Sequence, residues 1–193
     1  MAGTTREPLS PDARRQLREA VIERLRPFAW PDTRFVHDLN HFLPAYDGCE
    51  ALTDVLPALP FWPGAGVVYA TPDNCLEGVR SKLISERRPL VQTIAVRLGK
   101  GFGYFDIEWG ILSALGIAHD ATPIVVVCHD VQLLDDEFEP SPHDTLVDWI
   151  VTPTERIRVE RARPKPSGIQ WERLQPEQLS GMPPLRELQA MGL

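Results

Sequence analysis

Apolar residues recur at helical spacing from Leu17 through Val21 and Ile22 to Leu25. Ser10, Pro11 and Asp12 stand ahead of them as a cap, a first-turn proline and a first-turn acid, and Pro27 stands behind. The pattern predicts a helix between those punctuation points. Residues 28–63 hold prolines and aromatics with little period, apart from a short helical stretch at 49–56. An apolar run at 64–70 closes on Thr71, Pro72, Asp73 and Asn74 and predicts a buried strand and a turn. A helix follows at 76–88, a strand at 89–96, a helix at 106–116 ending on Gly116, buried strands at 123–128 and 145–151, and a last short helix at 184–191. Strands alternating with helices predict an α/β fold with an open, mainly parallel sheet and flanking helices. Residues 1–11 read as a loose tail, 12–162 as one domain, and 163–193 as a Pro-rich extension packing on it.

Composition narrows the classes. A chain of 193 residues with 43 % hydrophobic content suits one domain with a real core. A formal charge of −7 argues against nucleic acid or a membrane surface as the main partner. Cys49, Cys75 and Cys128 are widely spaced and odd in number, which suits reduced thiols better than a disulfide framework or a zinc site. The polar N-terminus and the lack of any run of about 20 apolar residues suggest a cytoplasmic protein.

The densest chemistry lies in Arg97-Leu-Gly-Lys-Gly-Phe-Gly-Tyr-Phe-Asp106. Gly99, Gly101 and Gly103 remove every second side chain, so backbone N–H groups can close on an anion, with Lys100 and Arg97 adding positive charge. The loop feeds a helix N-terminus, where the dipole favours phosphate, and Asp106 stands where a carboxylate holds Mg²⁺. The same glycines also suit a tight structural turn. Tyr104 and Phe105 either stack on a base or pack the helix start. The pattern matches neither Gly-x-Gly-x-x-Gly nor the Walker sequence. Arg14, Arg15, Arg18, Arg24 and Arg26 read as a solvated helix face. His37 and His41 lie four apart without helix signals, and His129 follows a strand at the edge where open α/β sheets bind ligands. Arg163 and Lys165, held extended by prolines, meet a phosphate or solvent.

These residues resemble the signature of the 5-formyltetrahydrofolate cyclo-ligase family, Arg-Leu-Gly-x-Gly-x-Gly-Tyr-Tyr-Asp. His129-Asp-Val-Gln-Leu-Leu-Asp135 and His143-Asp-Thr-Leu-Val-Asp-Trp-Ile-Val-Thr152 are similar to its Asp-x-Gln stretch and its closing block. Arg163-Pro-Lys-Pro-Ser-Gly-Ile-Gln-Trp171 resembles the tail of a divergent branch, the methenyltetrahydrofolate synthetase domain-containing proteins. The resemblance implies a three-layer sandwich of the ribose-5-phosphate isomerase and CoA-transferase type. It also implies a reaction in which ATP phosphorylates the formyl oxygen of 5-formyltetrahydrofolate and N10 closes 5,10-methenyltetrahydrofolate. Lys100 and Arg97 would act on the transferring phosphate. Arg14, Arg18, Gly99, Gly101, Phe102, Gly103, Tyr104 and Asp106 would bind ATP, and Asp106 would bind Mg²⁺. His143 and Asp144 match a position that supports loop geometry. Relatives insert a strand and loop facing the pterin where Val96 here abuts Arg97. That shortening leaves a second expectation open, a nucleotide-binding or interaction protein with a reduced folate site.

Overall fold

The computed structural model describes residues 8–30, 44–70, 73–86, 90–92, 103–135 and 138–193. Helix α1 spans Pro11–Leu25, and the Ser10 hydroxyl caps it by accepting the Ala13 N–H at 3.2 Å. Val21 and Leu25 are buried, and the helix packs against the turn Asp130–Gln132.

The stretch with the least legible period forms much of the core. Pro57, Pro60 and Pro63 cut it into single turns, Cys49–Ala51, α2 (Leu52–Val55), Leu56–Ala58 and Trp62–Gly64. A proline lacks the N–H that continues a helix, so each turn restarts. Leu52, Leu56, Leu59 and Trp62 nevertheless keep steps of four, three and three, and all four are buried. They join Leu25, Tyr46, Val79, Leu83, Val127 and Val151 in the larger apolar cluster.

Strand β1 (Val68–Ala70) pairs in parallel with β2 (Leu90–Gln92), and α3 (Glu77–Ser85) crosses between them in the chain, the connection a parallel pair needs. Helix α4 (Tyr104–Ala114) leads to β3 (Val125–Val127), which pairs in parallel with β4 (Trp149–Val151). Among the described residues the sheets hold two and three strands, and β5 (Arg156–Arg158) adds antiparallel to β4. The α/β class stands, with one antiparallel pair beside the two parallel ones. Arg156, Ile157 and Arg158 carry one apolar residue, too little alternation to predict β5 from sequence. Its hairpin is set by Thr152, whose N–H donates to Glu155 O at 2.9 Å and whose hydroxyl accepts the Thr154 and Glu155 N–H groups. A second cluster, Phe105, Trp109, Ala118 and Ile124, joins α4 to the start of the β3 region.

The segment after β5 lies along α4. Trp109 Nε1 donates to Pro166 O at 2.7 Å, and Gly168 N–H donates to Ser113 Oγ at 2.9 Å. Gly110 makes room for it, since a Cβ there would stand 2.9 Å from Gly168 O and 3.3 Å from Ile169 Cα. The expectation that Lys165 faces phosphate or solvent fails: its side chain is fully buried. Its ammonium donates to Asp120 O at 2.9 Å, Thr122 O at 2.7 Å and Asp148 Oδ2 at 2.6 Å, and lies 5.4 Å from the Trp109 ring centroid. The chain ends in α5 (Pro176–Gly181) and α6 (Pro183–Ala190), the latter burying Leu185 and Leu188.

Gly110→Ala forces a methyl against backbone and is expected to cost about 2 kcal/mol. A lower denaturation midpoint with faster amide exchange at Gly168 is the signature; an unchanged midpoint refutes the close approach.

Candidate functional site

Gly103 occupies the N-cap of α4 with φ 66°, a left-handed conformation that glycine adopts without strain. The glycine loop therefore does lead into a helix N-terminus at the one loop glycine whose geometry is on view. Arg97, Gly99, Lys100, Gly101 and Phe102 lie outside the described residues, as do His37 and His41. Tyr104 is the first residue of α4, and Phe105 packs with Trp109 and Ile124.

Asp106 sits in the first turn of α4. Its Oδ1 accepts the Thr145 N–H at 2.8 Å, and its Oδ2 lies 4.0 Å from where a Gly103 Cβ would be. Burial pushes its carboxyl above the ordinary 3.8, against the opposing effect of the Thr145 N–H bond. Desolvation thus outweighs what a helix N-terminus and a hydrogen bond give a carboxylate.

Helix α1 brings Arg14 to the same place. Arg14 and Arg18 share the side of α1 that carries Val21 and Leu25, and both are half-buried, whereas Arg15, Arg24 and Arg26 are exposed. The solvated-face reading is therefore corrected for Arg14 and Arg18, while Arg15 and Arg26 pair along the helix with Asp12 and Glu23. Arg14 grips Asp144 with both terminal nitrogens, at 3.2 and 2.8 Å, and its Nε donates to Leu9 O at 3.2 Å. The paired carboxylate raises the guanidinium's pKa, and Asp106 adds to the rise. Asp144 and Arg14 in turn act on Asp106, the first raising its pKa and the second lowering it. Arg14, Asp144 and Asp106 therefore act on one another at the N-terminal end of α4.

Asp144 also shapes its own loop, accepting the Ser141 N–H on Oδ2 at 2.7 Å while its N–H donates to Ser141 O at 2.9 Å. Arg163 closes the turn from outside, donating to Ser141 O and, at 2.9 Å, to Asp144 O. Neither contact was legible in sequence, because the partners stand 19 to 22 residues apart. The Arg14–Asp144 pair spans 130 residues.

His129 has a structural task. Its Nδ1 accepts the Val131 N–H at 3.2 Å, and its ring stacks on Phe28 at 4.4 Å and meets Tyr46 edge-on at 5.6 Å. Asp130 is held by the Thr152 and Thr154 hydroxyls. Cys49, Cys75 and Cys128 are free and buried, and burial pushes their thiols up, to about 12 for Cys128, which makes them poor nucleophiles.

An open cleft of about 690 Å³ lies elsewhere, over Phe61, Trp149 and Arg161. Arg161 there is held by Asp120 and Asp148, and Asp120 is held down at about 2 by that arginine and the Lys165 N–H. Its charges are largely paired internally, and neither Arg14 nor Asp106 lines it, so the α4 end is the better candidate site. Among the described residues no three or more metal-ligating side chains cluster, and no helix is long and apolar enough to cross a membrane.

The chain is 44 % identical over 93 residues to the methenyltetrahydrofolate synthase domain-containing protein of Mus musculus, a match covering 48 % of this chain and 25 % of that protein. It is 39 % identical over 121 residues to the Bos taurus protein of that name and 32 % identical over 124 residues to the Danio rerio one, covering 62 and 64 % of this chain and 32 % of each relative. The chain is related to the methenyltetrahydrofolate synthase domain-containing proteins. That is the branch the glycine loop, the closing block and the Arg163 to Trp171 tail point to. The matches cover a quarter to a third of these relatives' length. No family model and no solved structure matches the chain.

A carboxyl with a raised folded pKa binds its proton more tightly in the folded state, so its contribution to stability is lost as pH rises from 3.8 through the raised value. Asp106→Asn removes that loss and is expected to raise the melting temperature at pH 7, with the gain fading below the same window. A lower melting temperature at pH 7 would mean that the charged carboxylate's bond from the Thr145 N–H outweighs its desolvation.

Proposed function

We propose that this chain is an ATP- and Mg²⁺-dependent protein of the 5-formyltetrahydrofolate cyclo-ligase kind, taking a formylated folate as its small-molecule substrate. The observation that carries the reading is Asp106, a half-buried carboxylate in the first turn of α4, three residues after left-handed Gly103 and within electrostatic reach of Arg14. The relatives' name points to the same chemistry. In this reading the chain is a cytoplasmic three-layer α/β domain of the ribose-5-phosphate isomerase and CoA-transferase type.

The residues fit the groups. Mg²⁺ takes oxygen ligands and is held by one or two carboxylates together with substrate phosphates. Asp106 supplies one carboxylate, whose second oxygen, Oδ2, is not the one that accepts the Thr145 N–H. Bound Mg²⁺ neutralises phosphate charge. The backbone of Gly99, Gly101 and Gly103, with Lys100 and Arg97, would hold the triphosphate, with Phe102 and Tyr104 beside it. Transfer to a formyl oxygen asks the protein mainly for positioning and charge neutralisation. Arg18 adds positive charge from the inward side of α1, and Arg14 acts through Asp144 as much as on a phosphate, since both its terminal nitrogens are engaged there.

That engagement, with the short connection at Val96 and Arg97, favours a second reading: a nucleotide-binding paralogue whose folate side is too reduced for turnover. A phosphate cradle needs local backbone and a few charges, whereas a folate pocket needs enclosing walls.

MgATP at a hundred times its dissociation constant is expected to stabilise the fold by about 2.7 kcal/mol. Lys100→Ala should remove most of this gain, and Asp106→Asn its Mg²⁺-dependent part. Mixing protein, MgATP and 5-formyltetrahydrofolate and following methenyltetrahydrofolate absorbance separates the readings: product supports the cyclo-ligase, a thermal shift without product supports the paralogue, and neither refutes both.

A further inference from the structure

We propose that Arg163, on the segment after β5, is a positioning residue that sets the spacing between the cation and the carboxylate of the α4 site. The inference rests on the nucleotide-site reading and adds a residue to it from outside the glycine loop.

The geometry runs through one short turn. Arg163 Nη2 donates to Ser141 O and Asp144 O, so one guanidinium fastens both ends of the 141–144 turn. The turn presents two consecutive residues to the site. Asp144 holds Arg14 of α1 with its two carboxylate oxygens, and the next N–H, of Thr145, holds Asp106 of α4. Arg14 and Asp106 stand 92 residues apart in the chain (106 − 14), on separate helices, and meet through this one peptide unit. Arg163 is itself fixed, because two residues on the buried Lys165 ammonium is bound by Asp120 O, Thr122 O and Asp148. A planar guanidinium suits the task, since the two N–H groups on Nη2 keep fixed directions toward the two carbonyls, without the freedom of a lysine ammonium. The groups facing the turn are thus Arg14, Asp106, Asp144 and Arg163, each with a named bond.

The test compares Arg163→Ala and Arg163→Lys in the full chain by residue-resolved amide exchange and MgATP titration. Arg163→Ala should speed exchange at the Ser141 and Thr145 amides about tenfold while Lys165 and Gly168 exchange as in the unsubstituted chain. It should weaken MgATP binding about tenfold, the scale of losing a supporting partner of a ligand group. Arg163→Lys, which keeps a donor for the two carbonyls, should recover part of both, and it carries the comparison should the alanine variant not fold. Unchanged exchange at Thr145 overturns the proposal. So does equal acceleration at Lys165 and Gly168, which would make Arg163 only a fastener of the tail, and so does full retention of MgATP affinity. If the unsubstituted chain binds no MgATP, the nucleotide reading has failed, and the exchange pattern alone decides the role of Arg163.

Discussion

The structure around the site depends on one buried charge. The Lys165 ammonium is withdrawn from water, which lowers its pKa, and the cost is met by two carbonyls and the Asp148 carboxylate. Asp148 is engaged on every side, since it also pairs with Arg161 at 2.9 Å and accepts the Ile124 N–H at 2.7 Å. The pairing joins three pieces of chain, the approach to β3, the start of β4 and the extended segment after β5. With Lys165 fixed, Pro166 and Gly168 follow along α4, and Arg163 falls beside the 141–144 turn.

The closing block has the same logic. Asp144, Asp148 and Thr152 stand four residues apart, and each holds a different element: Asp144 the arginine of α1, Asp148 the tail lysine, and Thr152 the Asp130 turn after β3. Side chains two and four apart along a strand share a face, so Asp148 and Thr152 at the two ends of β4 form one polar edge while Val151 enters the larger core. Residues that read in sequence as a functional signature are in this fold the frame around the site. Asp106, whose carboxylate is desolvated more than its hydrogen bonds offset, is the member whose environment does not serve stability.

Local chemistry made most elements legible. Ser10 and Pro11 mark the start of α1, the glycine at 103 marks the start of α4, and the Pro123 to Cys128 run contains β3. The 49–64 region was only partly legible, because its helical spacing of leucines is real but prolines break the backbone that would express it. The strand expected over 145–151 pairs as β4 only at Trp149–Val151, and at its expected start the Thr145 N–H is given to the Asp106 side chain, not to a neighbouring strand. Asp106 and Arg14 were named from sequence, but the Asp144 and Arg163 contacts that relate them were not. Long-range ion pairs leave no period and no spacing in a single chain. The inward turn of Arg14 and Arg18 did have a signal, their register with Val21 and Leu25 at steps of four, three and four, which the abundance of arginine on α1 obscured.

The balance of charge at the α4 end constrains what the site can accept. Arg14 by itself would draw a phosphate, yet its two terminal nitrogens meet Asp144, and Asp106 adds a second carboxylate to the same volume. On the proposed reading, attraction for an anion would then come from the helix N-terminus, from Arg97 and Lys100 of the glycine loop, or from a divalent cation that arrives with the phosphates. A bound divalent cation would favour the ionised form of such a carboxylate, offsetting the desolvation that raises its pKa. On the proposed reading the desolvation of Asp106 would thus be relieved when metal and nucleotide bind together, and the 141–144 turn is where α1, α4 and the tail meet around it.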